Sequence, residues 1–369
     1  MSSPDPSSPQ SPAVHTGRGN ILLSGAAVVV VVAGLKVAGE ILLPLLFAAF
    51  LAVLCQPLVA GLVNRKVPRV LAVLLVVIFL AAALLGLTAL LGDSVRRFTD
   101  TVPRYREPLL ALVQGALTKV QSWGVPTPKL ALEALGDLPM VDPGVIMTLV
   151  GQTLGAVLTV LSRLAIVLVT TAFLLLESVE LDQKLRAATG EGSPFSLTVS
   201  QGAGTVQRYL AIKTVASLVT GLIVGALNMS LGLDFAVLWG VVAFLFNYIP
   251  SIGSILAAFP PVMLALVQLG PLPALAVATG YVAVNFVIGN VVEPRVLGRR
   301  LGLSPLVVIV SLFFWGWVWG PAGMLVSVPM TVVVKLLLEA NPNTRWLAIL
   351  LGSGDEARKV LAESAASDT

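Results

Sequence analysis

Apolar residues run along this chain in blocks of span length, parted by short polar or proline-rich stretches. A hydrocarbon core of about 30 Å takes roughly 20 residues of helix at 1.5 Å each. Residues 21–35 form the first block; with no small-residue cleavage pattern after them and more apolar chain at once, they read as an uncleaved span. Residues 41–63 return across the membrane and 70–91 cross again. Residues 93–149 change character: they carry six Lys or Arg, six Asp or Glu and many Pro, with no run long enough to span. Within them Phe98, Val102, Tyr105, Leu109, Leu112, Ala116, Val120 and Trp123 recur at three- and four-residue steps, an amphipathic helical pattern interrupted at Pro108. Such a helix lies on the bilayer or on its own spans; alternatively it packs on a neighbouring subunit or caps a pathway. Asp142-Pro143 has the form of a helix start, and the helical pattern runs on to Glu177. Blocks at 209–231, 235–249, 251–269 and 271–292 follow, the third split by Pro260-Pro261.

The last block behaves differently. Between Ser304 and Leu338 the only charged residue is Lys335, yet 35 helical residues would reach roughly 50 Å, far beyond one crossing. Gly320-Pro321-Ala322-Gly323 offers the turn, because Pro removes a backbone donor and Gly tolerates positive φ. The stretch reads as a helical hairpin. The fold class is therefore all-α: a polytopic helical membrane protein of about eight spans, with broken helices and a C-terminal hairpin.

Charge sets the direction of the spans. Arg65, Lys66 and Arg69 crowd one loop, Lys184, Arg186, Arg208 and nearby Lys213 another, and Arg295, Arg299 and Arg300 a third. By the positive-inside rule all three face the cytoplasm, as do both termini. The chain then divides into a disordered cytoplasmic tail (1–19), three spans (20–92), an extracytoplasmic helical segment (93–149), a span (150–177), a cytoplasmic connector (178–208), a transmembrane core (209–339) and a cytoplasmic tail (340–369). With 57% hydrophobic and 11% charged residues and a mean hydropathy of +0.95, the chain has far less charge than the roughly 25% of a soluble domain. The net charge of +4 is spread over several loops, which speaks for orientation in a bilayer and against nucleic-acid binding.

Chemistry is limited by missing parts. The one histidine, His15, lies in the tail, so no zinc motif and no Ser-His or Cys-His pair exists. The one cysteine, Cys55, lies in an apolar run and reads as a small buried hydrophobe. Neither a Walker lysine motif nor a Gly-rich dinucleotide fingerprint is present. No cofactor, metal or enzymatic activity is expected. What remains is helices broken inside the bilayer, whose freed peptide groups are tolerated only against protein or a wet cavity, as in the binding sites of secondary transporters.

Two breaks concentrate polar groups. One is Asn247, Pro250, Ser251, Gly253 and Ser254; the other runs from Asn285 through Asn290 to Glu293 and Arg295, with Pro294 marking a helix end. Amides, hydroxyls and a Glu293–Arg295 ion pair suit a small polyhydroxylated solute or an ion with oxygen ligands. The asparagines serve equally well as interhelical hydrogen bonds that only hold the fold, and a Glu293–Arg295 pair at the surface would contribute only about 0–1 kcal/mol. Arg163 lies in an apolar zone, where it either snorkels or pairs with a buried polar group.

Asn290, Glu293-Pro294-Arg295, Leu303, Pro305, Trp315-Gly316, Gly320, Gly323 and Pro329, with the block FNYIPSIGSILAAFPPVMLAL over 246–266, resemble the autoinducer-2 exporter (AI-2E) family of bacterial membrane proteins. The resemblance is dense over 206–339 and weaker over 21–177. It implies a homo-oligomeric exporter of the bacterial inner membrane that works without ATP hydrolysis on the quorum-sensing signal autoinducer-2 or a related small metabolite. Some members read as sodium/proton antiporters, which keeps H+ or Na+ open as coupling ion and Glu293 open as a proton carrier. A third reading is a non-transporting scaffold that docks partners through 93–149.

Overall fold

The computed structural model describes residues 17–101, 164–190, 194–250, 252–297, 302–341 and 343–354, with isolated positions between 105 and 122 and at 358 and 362. The tail up to residue 16, most of the amphipathic segment, Arg163 and Ser251 lie outside the described residues. All regular elements among the described residues are helical. In chain order they are α1 Gly17–Val37, α2 Gly39–Asn64, α3 Arg69–Thr101, α4 Leu164–Thr189, α5 Pro194–Ser230, α6 Ala236–Phe246, α7 Ile252–Leu269, α8 Pro271–Asn285, a π-helical stretch Phe286–Val292, α9 Glu293–Leu297, α10 Pro305–Glu339 and α11 Arg345–Leu351. Six of the described helices are long and apolar enough to cross a bilayer, and 25–37, 165–178 and 236–246 are shorter apolar helices. The protein is a polytopic helical membrane protein.

The 37-residue α5 is the hub, about 55 Å long, and packs on α2, α4, α6, α8, α9 and α10. Its closest neighbour is α6. A Cβ on Gly221 would lie 2.7 Å from the Gly240 carbonyl oxygen, and one on Gly240 would lie 2.8 Å from that of Gly221. Backbones can meet this closely only across small residues, the usual way helices adhere where lipid removes the hydrophobic drive. Arg69, the first residue of α3, donates to the Leu175 carbonyl and to Ser178 Oγ, tying α3 to α4.

α6 is only 11 residues, about 16 Å, roughly half the hydrocarbon thickness. The chain then turns through 247–250 and α7 runs back beside it, so that Gln268 accepts from the Asp234 backbone N–H and donates to the Gly232 carbonyl. Gly253 sits where the returning helix meets the end of α6: a side chain there would strike the Phe246 carbonyl. The split expected at Pro260-Pro261 does not occur, since α7 is one helix from Ile252 to Leu269 with both prolines inside it. The two missing N–H groups instead free the carbonyls of Leu256 and Ala257.

The C-terminal hairpin is present. Trp319 (φ −127°, ψ 15°) and Gly320 (φ 64°, ψ −149°) leave helical geometry and divide α10 into arms 305–318 and 321–339. Trp315 Nε1 donates to Thr331 Oγ1 at 3.1 Å, although on a straight helix sixteen residues would separate them by about 24 Å. At the tip Trp315 stacks on Trp319, whose Nε1 donates to the Leu35 carbonyl of α1 at 2.8 Å. Gly323 takes the same part here as Gly253 does above, since a Cβ on it would collide with the Trp315 carbonyl. Gly86 of α3, by contrast, has open space around it. Gly323→Val is expected to destabilise the hairpin by about 1–3 kcal/mol through overpacking, and Gly86→Val by much less. Melting of the two purified variants in detergent checks this, and equal melting temperatures would contradict it.

Candidate functional site

Among the described residues, four buried polar side chains fall on one stripe of α5. Lys213, Ser217, Thr220 and Asn228, with Val224 among them, are all buried, and steps of four, three, four and four residues put them on a single helix face. Each meets a partner brought by a different broken element or by α8, or lines the space between them. Asn247, at the end of α6, donates from Nδ2 to Ser217 Oγ at 3.0 Å. Tyr248, one residue on, donates to Thr214 Oγ1 at 2.8 Å. Asn228 Nδ2 donates to Tyr281 OH of α8 at 3.1 Å, while its Oδ1 is buried with no hydrogen-bond partner among the described residues.

The two breaks singled out by sequence meet here. Ser254, in the first turn of α7, donates to Asn285 Oδ1 at the end of α8, 2.6 Å away. Between them and α5 lies a small cavity of about 10 Å³ lined by Thr220, Asn247, Ser254, Tyr281 and Asn285 and closed by Val224, Ala243, Ala257 and Val284. That is about the least space a single water needs, and five polar side chains face it. Pro261 has no N–H to meet the carbonyl of Ala257, a residue that lines the cavity.

Below Asn285 the helix widens. Residues 286–292 are π-helical, with the Glu293 N–H reaching the Ile288 carbonyl five residues back. Pro294 was expected to end the helix; instead the chain continues into α9. A proline inside an α-helix clashes with the carbonyl four residues before it, and a π-turn upstream shifts that carbonyl register. This also turns Glu293 inward. Its partner is not Arg295, which is exposed, but Lys213 of α5, whose Nζ lies 2.7 Å from Oε1 and 3.0 Å from Oε2. The expected Glu293–Arg295 pair is thereby corrected to Lys213–Glu293. The side chains are 8% and 18% exposed, and Lys213 sits on the long apolar stretch of α5, Gly202–Ser230, so this is a largely buried ion pair rather than a surface contact.

The remaining candidates separate. Asn290 is exposed on the π-helical stretch, and Pro250 is half-buried in the turn after α6. Gly253 is buried at the crossing of α6 and α7. Gly320, Pro321 and Gly323 form the hairpin tip and do not line the cavity. Ser251 and Arg163 lie outside the described residues. Lys213, Ser217, Thr220, Asn228 and Tyr281 join the site beyond the residues that the breaks single out; for the four on α5 the signal in the sequence is their helical spacing in an otherwise apolar span.

Comparison with known proteins agrees with this architecture. The AI-2 transport protein TqsA of Escherichia coli strain K12 is 38% identical over 331 residues, covering 90% of this chain and 95% of that protein. A putative transport protein of Haemophilus influenzae is 37% identical over 343 residues, covering 91% and 97%, and the putative transport protein YhhT of Escherichia coli strain K12 is 35% identical over 335 residues, covering 91% and 95%. The family described as AI-2E family transporter matches residues 26–343, from α1 through the hairpin and across the whole polar stripe; this chain belongs to the AI-2E family of membrane transporters.

Proposed function

We propose that the protein is a secondary exporter of a small polar metabolite similar to autoinducer-2, and that the solute passes where α5, α6, α7 and the end of α8 meet. The observation that carries this is the convergence of two helix breaks on one polar-lined cavity in the bundle interior. Hydroxyl and amide groups suit a polyhydroxylated solute, and the 38% identity to a protein named as an AI-2 transport protein supports the same substrate class. With no nucleotide-binding motif in the chain, a proton or sodium gradient supplies the energy. The site is read as Asn247, Pro250, Ser251, Gly253, Ser254, Asn285, Asn290, Glu293 and Arg295, to which the geometry adds Lys213, Thr220 and Tyr281.

The Lys213–Glu293 pair acts in this reading as a latch that holds the widened helix against α5 while the cavity is small. An ionisable pair inside the membrane is functional by default because its desolvation is costly. The protein sits in the bacterial inner membrane with both termini in the cytoplasm, a reading supported by the basic loops at 64–69 and 295–300. That it works as a homo-oligomer rests on the family resemblance, and the mass of the solubilised complex tests it.

Vesicles holding the reconstituted protein should release labelled autoinducer-2 faster under an imposed proton or sodium gradient than protein-free vesicles; equal release would refute the proposal. Asn247→Leu and Asn285→Leu, which remove cavity-facing amides, are expected to slow that release at least about tenfold, equivalent to one hydrogen bond of about 1.4 kcal/mol or more. Removing one member of the ion pair strands a buried charge and costs about 3–5 kcal/mol, whereas neutralising both members is close to neutral for stability. The double variant Lys213→Met with Glu293→Gln is therefore expected to fold and insert yet lose transport. Native flux from that variant would assign the pair to stability alone.

A further inference from the structure

Between α2 and α3 lies an open groove of about 450 Å³ lined by Pro57, Leu58, Gly61, Leu62, Arg65, Leu75, Val76 and Phe79. Its floor is the buried Val76, and its walls are the exposed side chains of Leu58, Leu75 and Phe79. Gly61 borders open space: a Cβ there would meet nothing within 4 Å. The lining residues of α2 run from Pro57 to Arg65, about 12 Å along the helix axis. Polarity is confined to one end, where Arg65 caps α2 and Lys66 follows it, both exposed. Among the described residues no carboxylate pairs with either.

We propose that this groove is a binding site for an anionic phospholipid, with an acyl chain lying along Gly61, Val76 and Phe79 and the phosphate held by Arg65 and Lys66. The groove is apolar along its length and cationic at its mouth, which matches a ligand with a long apolar tail and a single acidic head. Basic pockets between helices at the membrane boundary take acidic headgroups for the same reason. The site is independent of the transport reading, because none of its residues touches the cavity or the Lys213–Glu293 pair.

The test compares phosphatidylglycerol with phosphatidylcholine, each titrated into the delipidated full-length protein in detergent and followed by native mass spectrometry and by melting. Phosphatidylglycerol is expected to remain bound and raise the melting temperature where phosphatidylcholine does not. Arg65→Gln should weaken phosphatidylglycerol binding about fivefold, the effect of roughly 1 kcal/mol per basic residue at an acidic headgroup. Gly61→Leu, whose side chain enters open space, should abolish the lipid adduct while leaving helix content and elution volume unchanged. Equal retention of the two lipids, or native retention of phosphatidylglycerol by either variant, would overturn the proposal. So would a change in oligomeric size on Gly61→Leu, which would give the groove to a second copy.

Discussion

A polar group left unsatisfied in hydrocarbon costs several kcal/mol, and the interior of this bundle is ordered by that cost. The polar stripe of α5 cannot face lipid, so every element that approaches it must bring a partner. α6 ends where it can present Asn247 to Ser217, and α8 passes where Tyr281 meets Asn228. α9 begins where Glu293 reaches Lys213. Breaks that would weaken a soluble bundle become the means of delivering side chains to the right depth. The glycines at 221, 225 and 240 complement this, because backbone contact between α5 and α6 leaves no room for a polar pair to be prised apart by a larger side chain.

The ion pair shows how strongly burial decides between partners. Arg295 lies two residues from Glu293 in the chain, yet it stays exposed while the carboxylate turns to a lysine eighty positions away. In water the nearer guanidinium would serve. Lys213 is buried and needs a counter-charge far more than the exposed Arg295 does, because a buried charge without a partner is costly while an exposed pair adds at most about 1 kcal/mol. The π-helical stretch makes the choice possible by rotating Glu293 out of the face that an uninterrupted α-helix would have given it.

How much of this was legible in the sequence follows the same division. The hairpin was readable because two independent signals agreed: a block too long for one crossing and a Gly-Pro turn at its middle. The two polar breaks were readable as places, though not in form. Pro294 was taken to end a helix, when a π-turn absorbed it. Pro260-Pro261 was taken to split one, when α7 ran through. A proline specifies which hydrogen bond is lost, and tertiary packing decides whether the helix stops or bends its register. The partner of Glu293 was not legible by proximity, because the chain-adjacent cation was the wrong one. It was legible by periodicity, since Lys213, Ser217, Thr220 and Asn228 keep one face across an apolar span.

A cavity of about 10 Å³ holds a water and no metabolite, so a solute can enter only when the surrounding elements separate. The contacts resist this unequally. α5 and α6 meet backbone to backbone at Gly221 and Gly240 over an extended surface, which stays put unless both helices move together. α8 is held to α7 at the cavity by the Ser254–Asn285 hydrogen bond, worth about 0.5–1.5 kcal/mol net, and its continuation is held to α5 by the Lys213–Glu293 pair. The π-helical stretch lies between those two attachments, and such bulges inside α-helices are frequent at functional sites. The π-helical stretch, which carries Asn285 on one side and Glu293 on the other, packs mainly on its own chain neighbours α8 and α9. Opening there would enlarge the polar cavity and expose the buried charge pair in a single movement, without disturbing the α5–α6 contact that holds the core.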